Sequence, residues 1–396
     1  MMTKTKVLVS GASIAGPALA HWLRRRGAEV TVVEQSDGLR PGGQAVDARG
    51  VAKEVIRRMG LDAKIRAVCT DTAGAYVVDA DGKVLDTHRA EENDGDGYIS
   101  EIEVLRGDFS QVLYDDTRDG VEYVFGDRIA ELRQDADGVD VTFAGGDRRR
   151  FDLVIGADGL HSALRGMVFG PREQFIRHLG LVLAFYTVPN EFGLDRWMID
   201  YHEDGRSAGL RPIHDADRAI AMLSFPSPDF EIDYRDIDGQ KRLLREQMAG
   251  VAWETERILA HLDSTPDFYL DQVAQVVMEH WSNGRVGLLG DAAFSASPMS
   301  GAGTGLALVG AYMLAGELAA ADWDPVAGFA AYEDRMRTYV EDNQEIGRMH
   351  VQMLTATDAE PAPEPDMEAL MALVERAVGG PELPDYVGVP DSGPTG

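Results

Sequence analysis

The chain has 396 residues, 44% hydrophobic and 27% charged, enough for a sizeable core in two interlocked domains or one large α/β unit. Its formal net charge of -29 repels phosphate backbones and anionic lipid, which argues against nucleic acid or a membrane surface as partner. The single cysteine, Cys69, excludes an internal disulfide and fits a reducing cytoplasm.

The apolar run that ends at Val9 is too short for a signal-peptide core. Val7-Leu8-Val9 reads as a central parallel strand, apolar throughout. It enters Gly11-Ala12-Ser13-Ile14-Ala15-Gly16. Pro17 to Arg26 then shows helical periodicity, and Glu29 to Glu34 reads as a second strand. This is a dinucleotide fingerprint with Ser13 where the second glycine belongs. Gly11 permits the tight turn, position 13 lets backbone approach a pyrophosphate, and Gly16 lets helix and strand pack closely. The pyrophosphate would rest on the helix start at Ile14 and Ala15, where free N–H groups and the dipole favour negative charge. Glu34, followed by Gln35, stands where an acid accepts ribose hydroxyls, and its charge disfavours a 2′-phosphate. The loop alone does not separate FAD from NAD.

Val51 to Met59 reads as a helix closed by Gly60, and a second helix is expected from near Val104 to Asp116. Residues 121 to 155 alternate like strands, as in Val121 to Phe125 and Val139 to Phe143. From 175 to 235 the segments Leu181 to Val188, Trp197 to Tyr201 and Ala219 to Phe225 suggest an antiparallel sheet, suited to the floor of a substrate pocket. Helices over 240–250 and 254–262 follow, then strands at Val273 to Met278 and Val286 to Leu289. Long helices are expected over 304–320 and 326–354. Gly305 to Ala320 is nearly apolar but contains Glu317, and it reads as a buried helix rather than a bilayer span. Pro361, Pro363 and Pro365 precede a short helix over 366–378, and the Pro- and Gly-rich tail at 379–396 reads as disordered.

Asp152 to Arg165 (Asp-Leu-Val-Ile-Gly-Ala-Asp-Gly-Leu-His-Ser-Ala-Leu-Arg) resembles the Asp-Gly motif of the flavoprotein aromatic hydroxylases. These are single-component FAD monooxygenases with the para-hydroxybenzoate hydroxylase fold. Arg285 to Ala293 (Arg-Val-Gly-Leu-Leu-Gly-Asp-Ala-Ala) resembles the same family's Gly-Asp motif. It continues through Pro298 and Gly301 to Gly303-Thr304-Gly305 at a helix start. Leu39 to Asp47, with Arg40, Gly43 and Gln44, resembles the family's glycine-rich loop beside the isoalloxazine, and Arg106 its helix arginine. The size resembles the compact branch that holds the tetracycline-inactivating monooxygenases. Phe294, Ala302 and Gly305 depart from the usual histidine, glutamine and asparagine.

The resemblance implies an α/β fold: a Rossmann-like FAD-binding domain interleaved with a substrate domain on a mostly antiparallel sheet, plus long C-terminal helices. The expected divisions are 1–174 with a substrate-side insertion near 70–100, 175–280 for the sheet, 281–325 back in the FAD domain, and 326–378 for the helices. It implies that Asp158, Gly159, Arg165, Gly290 and Asp291 join the first loop in holding FAD. NADH or NADPH would bind transiently, and O2 would react through a C4a-hydroperoxyflavin to hydroxylate a small aromatic or polyketide-like substrate. Baeyer–Villiger insertion or epoxidation is possible on the same fold. An oxidase or dehydrogenase without oxygen insertion is the first rival, and a non-catalytic FAD-fold protein another. The Trp-x-Trp-x-Ile-Pro segment of flavin halogenases is missing.

No protein nucleophile and no metal-ligand set stands out, and His161 and His280 read as a motif spacer and a sheet-edge residue. Phe185, Tyr201, Arg211, Met222 and Phe225 are the substrate-pocket candidates, with core packing open for the aromatics. Arg211 could hold a substrate phenolate or carboxylate, or pair with a neighbouring acid. The sequence leaves the oligomeric state open.

Overall fold

The computed structural model describes residues 4–40, 42–227, 232–233, 235–265, 267–357, 361–362 and 366–386. Pro41, Pro363, Pro365 and the tail from 387 lie outside the described residues. In chain order the elements are β1 (Lys6–Ser10), α1 (Ala15–Arg25), β2 (Glu29–Glu34), β3 (Ala45–Asp47), α2 (Val51–Met59), α3 (Asp62–Arg66), β4 (Gly74–Val78) and β5 (Val84–Arg89). Then come β6 (Glu103–Leu105), α4 (Arg106–Thr117), β7 (Glu122–Phe125), β8 (Ile129–Gln134), β9 (Val139–Phe143), β10 (Arg148–Phe151), β11 (Leu153–Gly156) and α5 (Ala163–Val168). The substrate-side elements are β12 (Ile176–Pro189), β13 (Trp197–Glu203), β14 (Arg206–Pro212), β15 (Arg218–Pro226), α6 (Ile237–Gln247), α7 (Thr255–Ala260) and β16 (Tyr269–Val276). The chain returns through β17 (Ser282–Asn283), β18 (Val286–Leu288), α8 (Asp291–Phe294) and α9 (Gly303–Ala320), and ends in α10 (Pro325–Leu354) and α11 (Met367–Gly379).

Two large sheets organise the molecule. The first has the order β17-β18-β11-β1-β2-β7. All its pairings are parallel except the short β17–β18 edge. β1 lies between β2 and β11 with Val7, Leu8 and Val9 fully buried, which is why this strand is apolar on both faces. Helix α9 is long and apolar enough to cross a membrane, but 89% of that stretch is buried, packed among α1, α2 and α10.

The second sheet has the order β16-β12-β15-β14-β13-β4-β5. Its pairings are antiparallel apart from β13 with β4. The insertion near 70–100 thus supplies two strands to it. β14 was not expected: Gly209 and Pro212 disguise a strand that pairs on both sides. One face of this sheet is covered by α6 and α7 through Leu244, Met248, Ile258 and Leu262. The other looks towards the FAD-side elements.

Three boundaries differ from expectation. Val104 belongs to β6, which pairs with β3, and helix α4 starts only at Arg106. β16 begins at Tyr269 rather than Val273, because it must reach across β12. The described part of the tail is docked rather than disordered. Tyr386 donates a hydrogen bond from its hydroxyl to Glu317 at 2.9 Å, and its ring lies against Tyr312. Tyr312 and Arg58 both donate to the Pro384 carbonyl.

Candidate active site

The first loop is shaped by two close approaches. Gly11 has φ +109°, and a Cβ there would lie 2.4 Å from the Ala157 carbonyl oxygen. A Cβ on Gly16 would lie 1.9 Å from the Gly11 carbonyl oxygen. Both positions therefore require glycine. The apolar Ile14 at the start of α1 makes no side-chain cap, which leaves the first N–H groups of the helix for another acceptor. Glu34 is fixed by its Oε2 accepting from Ala12 N at 3.0 Å and its Oε1 from Ser36 N at 3.0 Å. Ala12, Ser13, Glu34, Gly38, Leu39, Arg40, Arg106 and Ser110 line one cavity. Arg106 donates to Ser13 Oγ at 3.3 Å, and Gly43 approaches its guanidinium so closely that a Cβ would lie 3.0 Å from Nε. Burial first, then the neighbouring Arg40 guanidinium, lowers the Arg106 pKa. Two arginines crowded at a helix start call for an anion between them. Gln44 contributes its carbonyl, which accepts from Arg106 N, and Gln35 is exposed beside Glu34.

The second and third motifs meet this loop. Asp158 follows β11 next to the residue that Gly11 touches. It accepts from Ser162 Oγ and from Leu164 N at 3.1 Å, and burial raises its carboxyl pKa. Gly159 has φ +82° and makes the turn into α5. Arg165, expected at the cofactor, makes its hydrogen bonds to the backbone of the second and third motifs. It is fully buried and donates to the carbonyls of Ala292 at 2.8 Å and Leu160 at 2.7 Å. It acts as a strut that ties the Asp158 turn to the helix after Asp291. A Cβ on Gly290 would lie 3.2 Å from the Ala15 Cβ, so the third motif abuts the first. Asp291 is open to solvent, yet surrounding protein raises its carboxyl pKa. Through Gly290, Asp291 borders the place where the first and third motifs meet to form a cleft. Pro298 starts a short turn that ends at Gly301, and α9 begins at Gly303, Thr304 and Gly305 with no side-chain cap.

The ribbon β3–β6 connects this cleft to the second sheet. Asp47, at the end of β3, pairs with Arg49 at 3.0 Å. Arg49 also donates to the Gly301 carbonyl at 3.5 Å and the Tyr98 carbonyl at 3.2 Å. Glu103, at the start of β6, is 3% exposed and accepts from Arg211 of β14 at 2.7 Å. Thr70 and Thr72 both donate to its other oxygen. Asp200 accepts from Tyr98 at 3.0 Å. Burial first, with Glu103 adding to it, raises the Asp47 carboxyl to about 6, against the lowering effect of Arg49 and Arg211. Asp47, Arg49, Glu103, Tyr98 and Asp200 were not singled out as site residues from the sequence. An Asp-x-Arg placed directly after the glycine-rich loop is the signal that could have found the first two.

Strand alternation sorts the pocket candidates. Arg211, Phe185 and Met222 lie on the face towards the ribbon. Phe185 packs with Leu183 and Met299, and Met222 with Met198 and Ile99. Tyr201 and Phe225 are corrections: both belong to the cluster on the far face, under α6 and α7. His161 is more than a spacer, since its Nε2 lies 3.2 Å from Asp271. His280 is exposed in the turn before β17 and lies 3.5 Å from Glu333.

These residues fit an FAD. The glycine contacts form a cradle that a Cβ would fill, and Arg40, Arg106 and Glu34, which line one cavity beside it, are the groups that would hold a diphosphate and a ribose there.

The comparisons agree with the geometry. A family model described as an FAD binding domain matches residues 4–353. A flavin-dependent monooxygenase of Legionella longbeachae is 36% identical, covering 98% of this chain and 99% of its own. An uncharacterized protein of Mycobacterium tuberculosis is 47% identical over 85% of this chain and 91% of its own. The crystal structure of tetracycline destructase Tet(55) superposes with a TM-score of 0.85 at 35% identity, covering 98% of this chain and 100% of its own.

Proposed function

The chain belongs to the FAD-binding family of flavin-dependent monooxygenases, and from that premise we propose that it uses NAD(P)H and O2 to hydroxylate a small aromatic or polyketide-like molecule. It is an FAD-dependent monooxygenase of the compact branch. The observation that carries the finer reading is the Arg211–Glu103 pair. It places a guanidinium, fixed by a buried carboxylate, on the sheet face that looks towards the Gly301 turn. Arg211 Nε is buried and, among the described residues, has no hydrogen-bond partner, which leaves a donor for a substrate oxygen. The bound FAD supplies hydride acceptance and oxygen activation. The chain supplies the rest. Arg40 and Arg106 hold the diphosphate, and Arg211 orients the substrate. Phe185 and Met222 wall the space with apolar surface that limits water.

The test is NADH and NADPH oxidation by FAD-loaded protein against a panel of hydroxylated aromatics that includes tetracycline, under 18O-labelled dioxygen. Substrate-stimulated oxidation with one labelled oxygen in the product supports the reading. An oxidised product without label would replace it with an oxidase or dehydrogenase.

A further inference from the structure

The backbone between the third motif and α9 is gripped from behind by side chains that the reading above does not use. The Ser295 carbonyl accepts from Val276 N at 3.1 Å and from Gln344 Nε2 at 3.3 Å. The Ala296 carbonyl accepts from Gln275 Nε2 at 3.1 Å. The Met299 carbonyl accepts from His350 Nδ1 at 2.7 Å. Gln275 belongs to β16, and Gln344 and His350 to α10, so the second sheet and a C-terminal helix hold one stretch of chain between them. Both glutamines are almost fully buried. Gln275 also donates to the Gln344 carbonyl at 2.6 Å, and Gln344 to the Val276 carbonyl at 2.8 Å. Arg348 donates to Gln275 Oε1 at 3.0 Å, which fixes the end of that amide that faces Ala296. Gly347 lets α10 come this close, since a Cβ there would lie 2.4 Å from the Ala296 carbonyl oxygen.

Ser297 lies at the centre of the gripped stretch, with φ +76° and ψ 156°. Residues other than glycine rarely hold this conformation, and it persists where the surroundings over-determine it. The turn from Pro298 to Gly301 follows at once and leads into α9, whose first N–H groups have no side-chain cap. The path of the backbone through Ser297 therefore sets where those N–H groups lie. A helix start favours negative charge, and a reduced flavin carries more of it than an oxidised one.

We propose that Gln275, Gln344 and His350 are positioning residues: they hold Ser297 in its strained conformation, fix the start of α9 in the FAD cleft, and so favour the reduced cofactor over the oxidised. This rests on the FAD-binding part of the reading above and not on oxygen transfer, so labelled-oxygen incorporation stands or falls separately.

The test is the midpoint potential of the bound FAD, measured by stepwise reduction against a reference dye. Gln344→Met removes the donor to Ser295 at nearly constant volume. It should lose roughly threefold to tenfold of the preference for reduced cofactor, which is about 15–30 mV more negative for a two-electron couple. His350→Leu, at an exposed position that does not endanger folding, should shift the potential the same way by less. Glycine holds the Ser297 conformation without help, so Ser297→Gly combined with Gln344→Met should restore most of the wild-type value. A lowered melting temperature with wild-type potentials in both single variants would show that these side chains only hold the fold, and would overturn the proposal. A shift in Gln344→Met that Ser297→Gly leaves undiminished would also overturn it. Should Gln344→Met lose its FAD, His350→Leu decides alone, and an unchanged potential there overturns the proposal.

Discussion

Glu103→Gln tests whether the two halves of the site are joined by charge. Glu103 takes hydrogen bonds from Arg211 at 2.7 Å, Thr70 at 2.6 Å and Thr72 at 2.8 Å, at 3% exposure. Glutamine keeps the shape, removes the charge and puts a donor where one of these donors now points. Breaking a buried ion pair from one side costs about 3–5 kcal/mol, because the partner charge stays behind. Arg211 still feels Asp47 and Asp200, which offset part of that and leave about 2–4 kcal/mol. For a chain of this length each kcal/mol moves Tm by roughly 1–2 °C, by extension from smaller domains. The expected drop is therefore about 2–8 °C in a thermal melt of the FAD-loaded protein, with flavin content unchanged. Arg211→Met in the same background should recover stability, since it removes the stranded charge. A drop below about 1 °C, or strictly additive effects of the two substitutions, would refute the reasoning.

Gly16→Ala should yield protein that retains little FAD, since its Cβ would fall 1.9 Å from the Gly11 carbonyl and push α1 off β1; a wild-type flavin-to-protein absorbance ratio would contradict this. Asp47→Asn should have a pH-dependent effect on stability. The folded pKa of Asp47 is raised, so its contribution is most favourable below the unfolded value of 3.8 and is lost as pH rises through about 6. The variant should match wild type near pH 4 and exceed it near neutrality by on the order of 2 kcal/mol; equal melting curves at both pH values would remove the perturbed carboxyl from the account. Gly316→Ala should dislodge the C-terminal segment, because a Cβ there would lie 2.1 Å from the Tyr386 ring; limited proteolysis should cut near 381–386 faster, and an unchanged rate would show that the tail is not docked there.

The cofactor half of the site was legible because its requirements are local. Gly11, Asp158 and Asp291 follow within three residues of the ends of β1, β11 and β18, and Gly16 lies in the first turn of α1, where the backbone must turn within a few residues, and sequence order alone reports that. The substrate half depends on which way each strand faces, and sequence alternation could not decide it. Tyr201 and Met198 are both buried, one under α6 and α7 and the other towards the ribbon, so neither face of the sheet is polar. The offset between His178 and Val182 in β12 breaks the register as well. The bracing role of Arg165 is hidden from the sequence for a different reason. Its partners, the carbonyls of Leu160 and Ala292, are backbone groups, and backbone groups leave no mark on composition. The tail reads as disordered from its prolines and glycines, yet its described part is docked by Tyr386 in a slot opened by Gly316 and by the bonds to the Pro384 carbonyl.

A crystal structure of the FAD-loaded protein tests the central claim most directly. The diphosphate should lie against the Gly11–Gly16 loop and Arg106, the chain of the cofactor along Asp291, and the flavin ring at the Gly301 turn with one face towards Arg211 and Asp47. A flavin ring seated away from that turn, with the Arg211 face of the second sheet closed off from it, would contradict the account.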